Sequence, residues 1–150
     1  MNTFAEINYL QPGDVVTIPI TQANITEHFI VYGGRNIYGQ DIYLENKIGH
    51  GVRWIADPLY AHITPKINYI RRFNGNDFER NQAIQRGISL VGSGYDLVTF
   101  NCEHFANYVQ YGRAFSSQVE NAGKTLAIVG GGLAIAAGLA ALFGGGGRRR

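Results

Sequence analysis

Cysteine occurs once in these 150 residues, as Cys102. That scarcity excludes an intramolecular disulfide framework, and nothing in the chain demands an oxidising compartment. Neither sign of charge dominates. Thirteen Lys and Arg against eleven Asp and Glu leave a formal net charge of +2, too little for the electrostatic footprint of a nucleic-acid binder. The positive residues are dispersed as Lys66, Arg71-Arg72, Arg80 and Arg86 before the terminal Arg148-Arg149-Arg150. Arg71-Arg72 reads as a solvated surface pair, with contact to phosphate headgroups as the alternative. No helix-turn-helix, zinc-finger or RNA-binding string is present, so no nucleic-acid partner is expected. The four histidines and one cysteine show no Cys-x-x-Cys or His-Glu-x-x-His spacing, so no metal and no cofactor is expected. Met1 to Leu10 has neither a basic start nor a long apolar run, which argues against a signal peptide. What the chain does have is 45% hydrophobic residues, enough to bury the core of one domain.

The lone cysteine sits at an informative boundary. Tyr95-Asp96-Leu97-Val98-Thr99-Phe100 reads as a short extended run, and His104-Phe105-Ala106-Asn107-Tyr108-Val109 as a helix with apolar Phe105, Tyr108 and Val109. Cys102 then falls at a helix start, where unpaired N–H groups and the positive dipole end favour an anion. The thiolate is the nucleophilic form of cysteine; the bland alternative is a small buried hydrophobe. A candidate base sits upstream, in Ile25-Thr26-Glu27-His28-Phe29-Ile30-Val31-Tyr32-Gly33-Gly34, which reads as a strand running into a glycine turn. Alternation puts His28, Ile30 and Tyr32 on one face and Phe29 and Val31 on the other. A histidine there is either structural or the partner of an activated thiol, since Cys and His distant in sequence are commonly paired in space.

Pro12-Gly13-Asp14-Val15-Val16, then His28-Phe29-Ile30-Val31-Tyr32-Gly33, then Asn101-Cys102-Glu103-His104-Phe105, closed by Tyr111-Gly112-Arg113 and Ser116-Ser117-Gln118, resembles the lecithin retinol acyltransferase-like family. That family includes small membrane-anchored phospholipase A/acyltransferases. The likeness covers roughly residues 8 to 120, in the family's order. It implies an α+β fold of the circularly permuted papain-like type, an antiparallel sheet packed on helices, in which the histidine strand precedes the cysteine helix. It also implies Cys102 as nucleophile and His28 as the base that takes its proton. A third polar residue, on the strand after the histidine strand, would hold the imidazole. In the animal enzymes this is usually a second histidine, but Asp41-Ile42-Tyr43-Leu44-Glu45-Asn46 contains none. If Ile42 and Leu44 face the core, alternation sends Asn46 the same way and Glu45 opposite. Asn46 is favoured, because an amide oxygen can orient an imidazole. Glu45 is the alternative, since a carboxylate would also stabilise an imidazolium.

Of the other histidines, His104 lies too close to Cys102 along the helix to share its face and is given a packing or hydrogen-bonding role. His50, between two glycines, reads as an exposed loop residue, and His62 has no nameable partner. Glu103 reads as part of a cap early in the helix. Further strands are expected over Asp14–Ile20, Ile25–Tyr32, Asp41–Asn46, Gly51–Ile55 and Ile67–Phe73, with Asp57–Ile63 irregular or a short helix. Asp77–Val91 carries Phe78, Ala83, Ile84, Ile88 and Val91 at roughly helical spacing, with Asn76 as N-cap and Gly92-Ser93-Gly94 as terminator.

Composition shifts after Lys124, which divides the chain into a catalytic domain over residues 1–120 and a hydrophobic segment over 121–150 with a basic end. Thr125 to Phe143 is uncharged and just long enough for a membrane-spanning helix. It reads as a C-terminal membrane anchor, with a core helix, a tail or a surface-lying hairpin as alternatives, and with the catalytic domain cytoplasmic. Gly130, Ala134 and Gly138 recur four apart, the small-residue pattern that brings membrane helices together, so they mark a face for self-association. The resemblance and the tail together lead to a thiol-dependent phospholipase A/acyltransferase. Its partners would be a phospholipid membrane, an acyl-donor lipid, and water, an amine or a hydroxyl as acceptor. A peptidase or amidase of the same fold and a catalytically silent membrane-associated domain are the alternatives.

Overall fold

Runs of β-branched and aromatic residues punctuated by glycine build the sheet seen in the computed structural model, which describes residues 9–22, 25–56 and 67–130. The strands are β1 (Val15–Gln22), β2 (Ile25–Arg35), β3 (Asp41–Lys47), β4 (Gly51–Ala56) and β5 (Tyr69–Arg71). They pair antiparallel throughout in the order β4-β3-β2-β1-β5. Three helices follow: α1 (Asp77–Ser89), α2 (Cys102–Tyr111) and α3 (Ser117–Gly130). Strands first and helices afterwards make an α+β domain, as expected.

The sheet is buried on both faces, by different means. Val15, Phe29, Val31, Leu44 and Val52 point toward the helices and pack with Ala83 and Ile84 of α1 and Phe105, Ala106 and Val109 of α2. On the opposite face Val16 and Ile30 are covered by Leu10, Ile18, Tyr43, Ile55, Ile67 and Ile70. Helix α1 approaches this core through Gly87, where a Cβ would lie 3.1 Å from Val109 Cγ2 and 3.3 Å from Leu44 Cδ1. An added methyl would require the Val109 and Leu44 side chains to give by a few tenths of an ångström.

Element ends are set by specific side chains. The Asn76–Glu79 capping box starts α1, and the helix stops at Ser89 rather than Val91, because Gly92 and Ser93 turn to bond Val52 of β4. β5 is shorter than the expected Ile67–Phe73 because the Phe73 amide turns away to donate to Asp14 Oδ1 at 2.9 Å. Asp14, fully buried, also accepts from the Gln11 amide and from Arg72 and Arg80. Burial pushes its carboxyl pKa up, yet these hydrogen bonds outweigh it and hold the group below its usual 3.8. Arg72 is thus an ion-pair partner and not half of a solvated pair.

The Tyr95–Phe100 run is a tight turn and not extended. Asp96 Oδ1 accepts from the Val98 and Thr99 amides, and Asp96 and Phe100 exchange both backbone bonds. The expected irregular stretch Asp57–Ile63, with His62, lies outside the described residues. So does residue 131 onward, and with it most of the Thr125–Phe143 run and of the Gly130/Ala134/Gly138 face. Among the described residues no helix is long and apolar enough to cross a membrane.

Candidate active site

Strand register assembles the site. Ile30 of β2 lies opposite Glu45 of β3, so Glu45 shares the face of Ile30 and therefore of His28. The diagonal neighbours meet: His28 Nε2 lies 2.7 Å from Glu45 Oε2. Both are buried. Glu45 is directly opposite Arg53 of β4, whose Nε and Nη2 each reach Glu45 Oε1 at 3.0 Å. One carboxylate oxygen is therefore committed to the arginine and the other to the imidazole.

Asn46 takes another place. It shares the Leu44 face, toward the helices, and its Nδ2 donates to the Phe100 carbonyl at 2.8 Å and the Asn101 carbonyl at 3.4 Å. The structure thus brings Glu45, and not the favoured Asn46, to His28. Asn46 instead fixes the backbone that delivers Cys102, a role with no sequence signal because the pairing register is not written in strand alternation.

Cys102 is the first residue of α2. Asn101 caps the helix, its Oδ1 accepting from the Glu103 and His104 amides at 2.9 and 3.1 Å. His104 completes the capping box by accepting from the Asn101 amide at Nδ1, 3.1 Å away. That acceptor role requires an unprotonated nitrogen, and burial lowers the His104 pKa to about 4. None of these capping bonds uses the Cys102 amide. Cys102 is 1% exposed, and its sulfur lies 3.6 Å from the Glu27 carbonyl.

His28 connects the two halves. Burial alone would lower its pKa, but hydrogen bonds to Cys102 and Glu45, with electrostatic attraction toward both, raise it to about 9. Tyr95 lies within electrostatic reach of the same sulfur: burial first, then Cys102 and Asp96, push its hydroxyl up to about 12.

Two further residues were legible only as members of a motif. Glu103 is buried and caps the next helix instead of its own, accepting from Ser116 Oγ at 2.6 Å and from the Ser117 and Gln118 amides at 3.1 Å each. Burial raises its pKa, but these bonds lower it further, to a net value below the usual one. Gln118, held in this way, imitates a neighbouring strand. Its Oε1 accepts from the Thr26 and Glu27 amides at 2.8 and 3.1 Å, and its Nε2 donates to the Glu27 carbonyl at 3.3 Å. His50 lies exposed in the turn between β3 and β4, as expected. Among the described residues no group of three or more His, Cys, Asp or Glu is arranged to hold a metal ion.

Part of this chain is similar to known proteins. The family model described as lecithin retinol acyltransferase matches residues 55–115, a span that includes Cys102. The chain is similar to phospholipase A and acyltransferase 3 of Mus musculus, 45% identical over 87 residues that cover 53% of each chain. It is also similar to phospholipase A and acyltransferase 2 of Homo sapiens, 41% identical over 58 residues, covering 37% of this chain and 36% of the relative. Over the part that these matches cover, the chain resembles the lecithin retinol acyltransferase-like family. The alignment spans about half the length of the first of these relatives.

Proposed function

We propose that the protein is a thiol-dependent phospholipase A/acyltransferase acting on glycerophospholipid esters, with Cys102 as nucleophile, His28 as base and Glu45 as the residue that holds the base. The observation that carries this reading is the chain Cys102–His28–Glu45–Arg53, buried at its first three members, in which His28 stands between Cys102 and Glu45, and Glu45 between His28 and Arg53. The names of the related proteins supply the substrate class.

His28, whose raised pKa lets it hold the proton given up by Cys102, leaves the sulfur free to attack the ester carbonyl. Glu45 holds the ring in position and stabilises the imidazolium that forms. The oxyanion of the tetrahedral intermediate is stabilised by the Cys102 amide, which no capping bond of α2 engages, at the positive end of the helix. Collapse breaks the C–O bond, His28 returns the proton to the leaving oxygen, and lysophospholipid departs while the acyl group stays on sulfur as a thioester. Water resolves it in the phospholipase reaction, and an amine or hydroxyl resolves it in acyl transfer.

The His28 strand preceding the Cys102 helix fits the permuted papain-like arrangement. Residues 1–120 form the catalytic unit in this reading, and 121–150 associate it with the membrane, raising the local concentration of donor lipid. Intact-protein mass spectrometry after incubation with phosphatidylcholine liposomes tests the chemistry. The expected result is a mass gain of one fatty acyl group, released by hydroxylamine, absent from Cys102→Ala and slow to form in His28→Ala. An adduct that persists in Cys102→Ala would overturn the assignment, and turnover of soluble amides without any lipid adduct would favour the amidase reading.

A further inference from the structure

Glu27, whose carbonyl faces the Cys102 sulfur, and Gln118, which donates to that same carbonyl, also line a cavity of about 340 Å³. Its other walls include two arginines, Arg71 and Arg113, and the aromatic rings of Tyr111 and Phe115.

The charge balance of this cavity is uneven in kind. Its carboxylates are already committed: Glu103 is used by the residues that open α3, and Glu27 accepts from Asn68 and the Tyr69 hydroxyl. Its cations are not. Among the described residues neither Arg71 nor Arg113 forms an ion pair. Arg71 is nonetheless fixed in place, its guanidinium carbon 5.7 Å from the Phe29 ring centroid and 5.1 Å from that of Tyr111. Its Nε donates to Gln110 Oε1, and Gln110 Nε2 donates back to the Arg71 carbonyl. The Arg71 Nη2 is buried with no hydrogen-bond partner among the described residues. Leaving a buried charged donor unsatisfied is costly, so a preorganised guanidinium in this state is built for an acceptor that arrives from outside. Arg113 lies over Phe115 at 5.8 Å, and Phe115 stacks on Tyr111 at 6.0 Å, so the second cation stands on the same aromatic wall. Two guanidinium groups with donors to spare suit the several oxygens of a phosphate.

We infer that this cavity binds the phosphate of the acyl donor's headgroup, held by Arg71 and Arg113, while the ester to be cleaved lies across the Glu27 peptide at Cys102. The inference rests on the reading of Cys102 as the thiol that lipid acylates. It also makes the site selective for phosphorylated donors over neutral glycerides.

Binding can be tested apart from turnover. Full-length Cys102→Ala protein is titrated calorimetrically with monomeric dihexanoylphosphatidylcholine, with dihexanoylglycerol, and with inorganic phosphate. The phospholipid is expected to bind, and Arg71→Gln and Arg113→Gln are each expected to weaken it about tenfold while leaving the neutral glyceride unchanged. Arg113 is exposed, so its variant keeps the test alive should Arg71→Gln disturb the fold. Equal phospholipid affinity with and without Arg113→Gln overturns the proposal. Inorganic phosphate binding as tightly as the phospholipid overturns the headgroup assignment in favour of a free-phosphate site. Thioester formation with a KM unmoved by Arg113→Gln removes the cavity and keeps the chemistry. Arginine-dependent phospholipid binding without any thioester keeps the cavity and removes the chemistry.

Discussion

Replacing Glu45 with glutamine should move the titration of His28. The amide keeps the size of the carboxylate and an oxygen that can accept from the ring, but it removes the charge. A rise from the ordinary 6.5 to about 9 corresponds to about 3 kcal/mol of preference for the protonated ring. Burial opposes that preference, so Cys102 and Glu45 together supply more than the net amount. Losing the charged partner should withdraw about 1–2 kcal/mol and lower the midpoint by about one pH unit or more. Histidine ring-proton NMR across about pH 5 to 10 reads this directly, with His28→Ala assigning the resonance.

The same linkage has a sign in stability. The folded pKa lies above the unfolded one, so the contribution is complete below 6.5 and is lost as pH rises through about 9. In urea denaturation, the parent's advantage over Glu45→Gln should therefore be larger near pH 6 than above about pH 9, with the Arg53 pair accounting for what persists. Identical His28 midpoints in the two proteins would refute the reasoning, as would an ordinary midpoint near 6.5 in the parent.

Asn46→Ala should cost about 0.5–1.5 kcal/mol by removing its hydrogen bonds to the Phe100 and Asn101 carbonyls, which keep their backbone partners, yet leave the His28 midpoint in place; a midpoint that moves would return Asn46 to the site. Asp14→Asn should cost about 2–4 kcal/mol near neutral pH, because it leaves two arginines without their carboxylate. Since the folded Asp14 pKa is lowered, that gap between parent and variant should close as pH falls below 3.8, which denaturation at two pH values will show. Glu103→Ala should cost about 2–3 kcal/mol and speed amide exchange at Ser117 and Gln118 before it affects β3 or β4. Gly87→Ala should lower stability by about 1–3 kcal/mol through overpacking against Val109 and Leu44, with thermal unfolding as the measure.

Strand positions, the α1 cap and the opposition of His28 and Ile30 to Phe29 and Val31 were all legible in the sequence. Each depends on neighbours close in the chain. The partner of His28 was not, and the reason is physical. A strand with apolar residues on one face reveals its orientation, but this sheet is buried on both, by Val31 and Leu44 on one side and Val16 and Ile30 on the other. Core-facing then ceases to identify a single face. Only the register Ile30 to Glu45 decides which acidic or amide residue meets the imidazole. Arg71 and Arg72 were read as one surface pair for a related reason. Adjacent strand residues point to opposite faces, and here one joins Asp14 while the other turns toward Gln110 and Tyr111. Asp96 misled differently: its side chain bonds to the backbone just ahead and curls a segment whose apolar content favours extension.

Gln118 has a consequence for the solution behaviour of the protein. β2 begins pairing with β3 only at Ile30, so Thr26 and Glu27 form an open ledge beside Cys102, and a single carboxamide closes it. Such a ledge is a template for any passing strand, and here the guard is attached to α3 and not to the sheet. A molecule whose α3 undocks uncovers a bare strand edge next to Cys102, so the same event that loosens the helix also invites edge-to-edge association between chains.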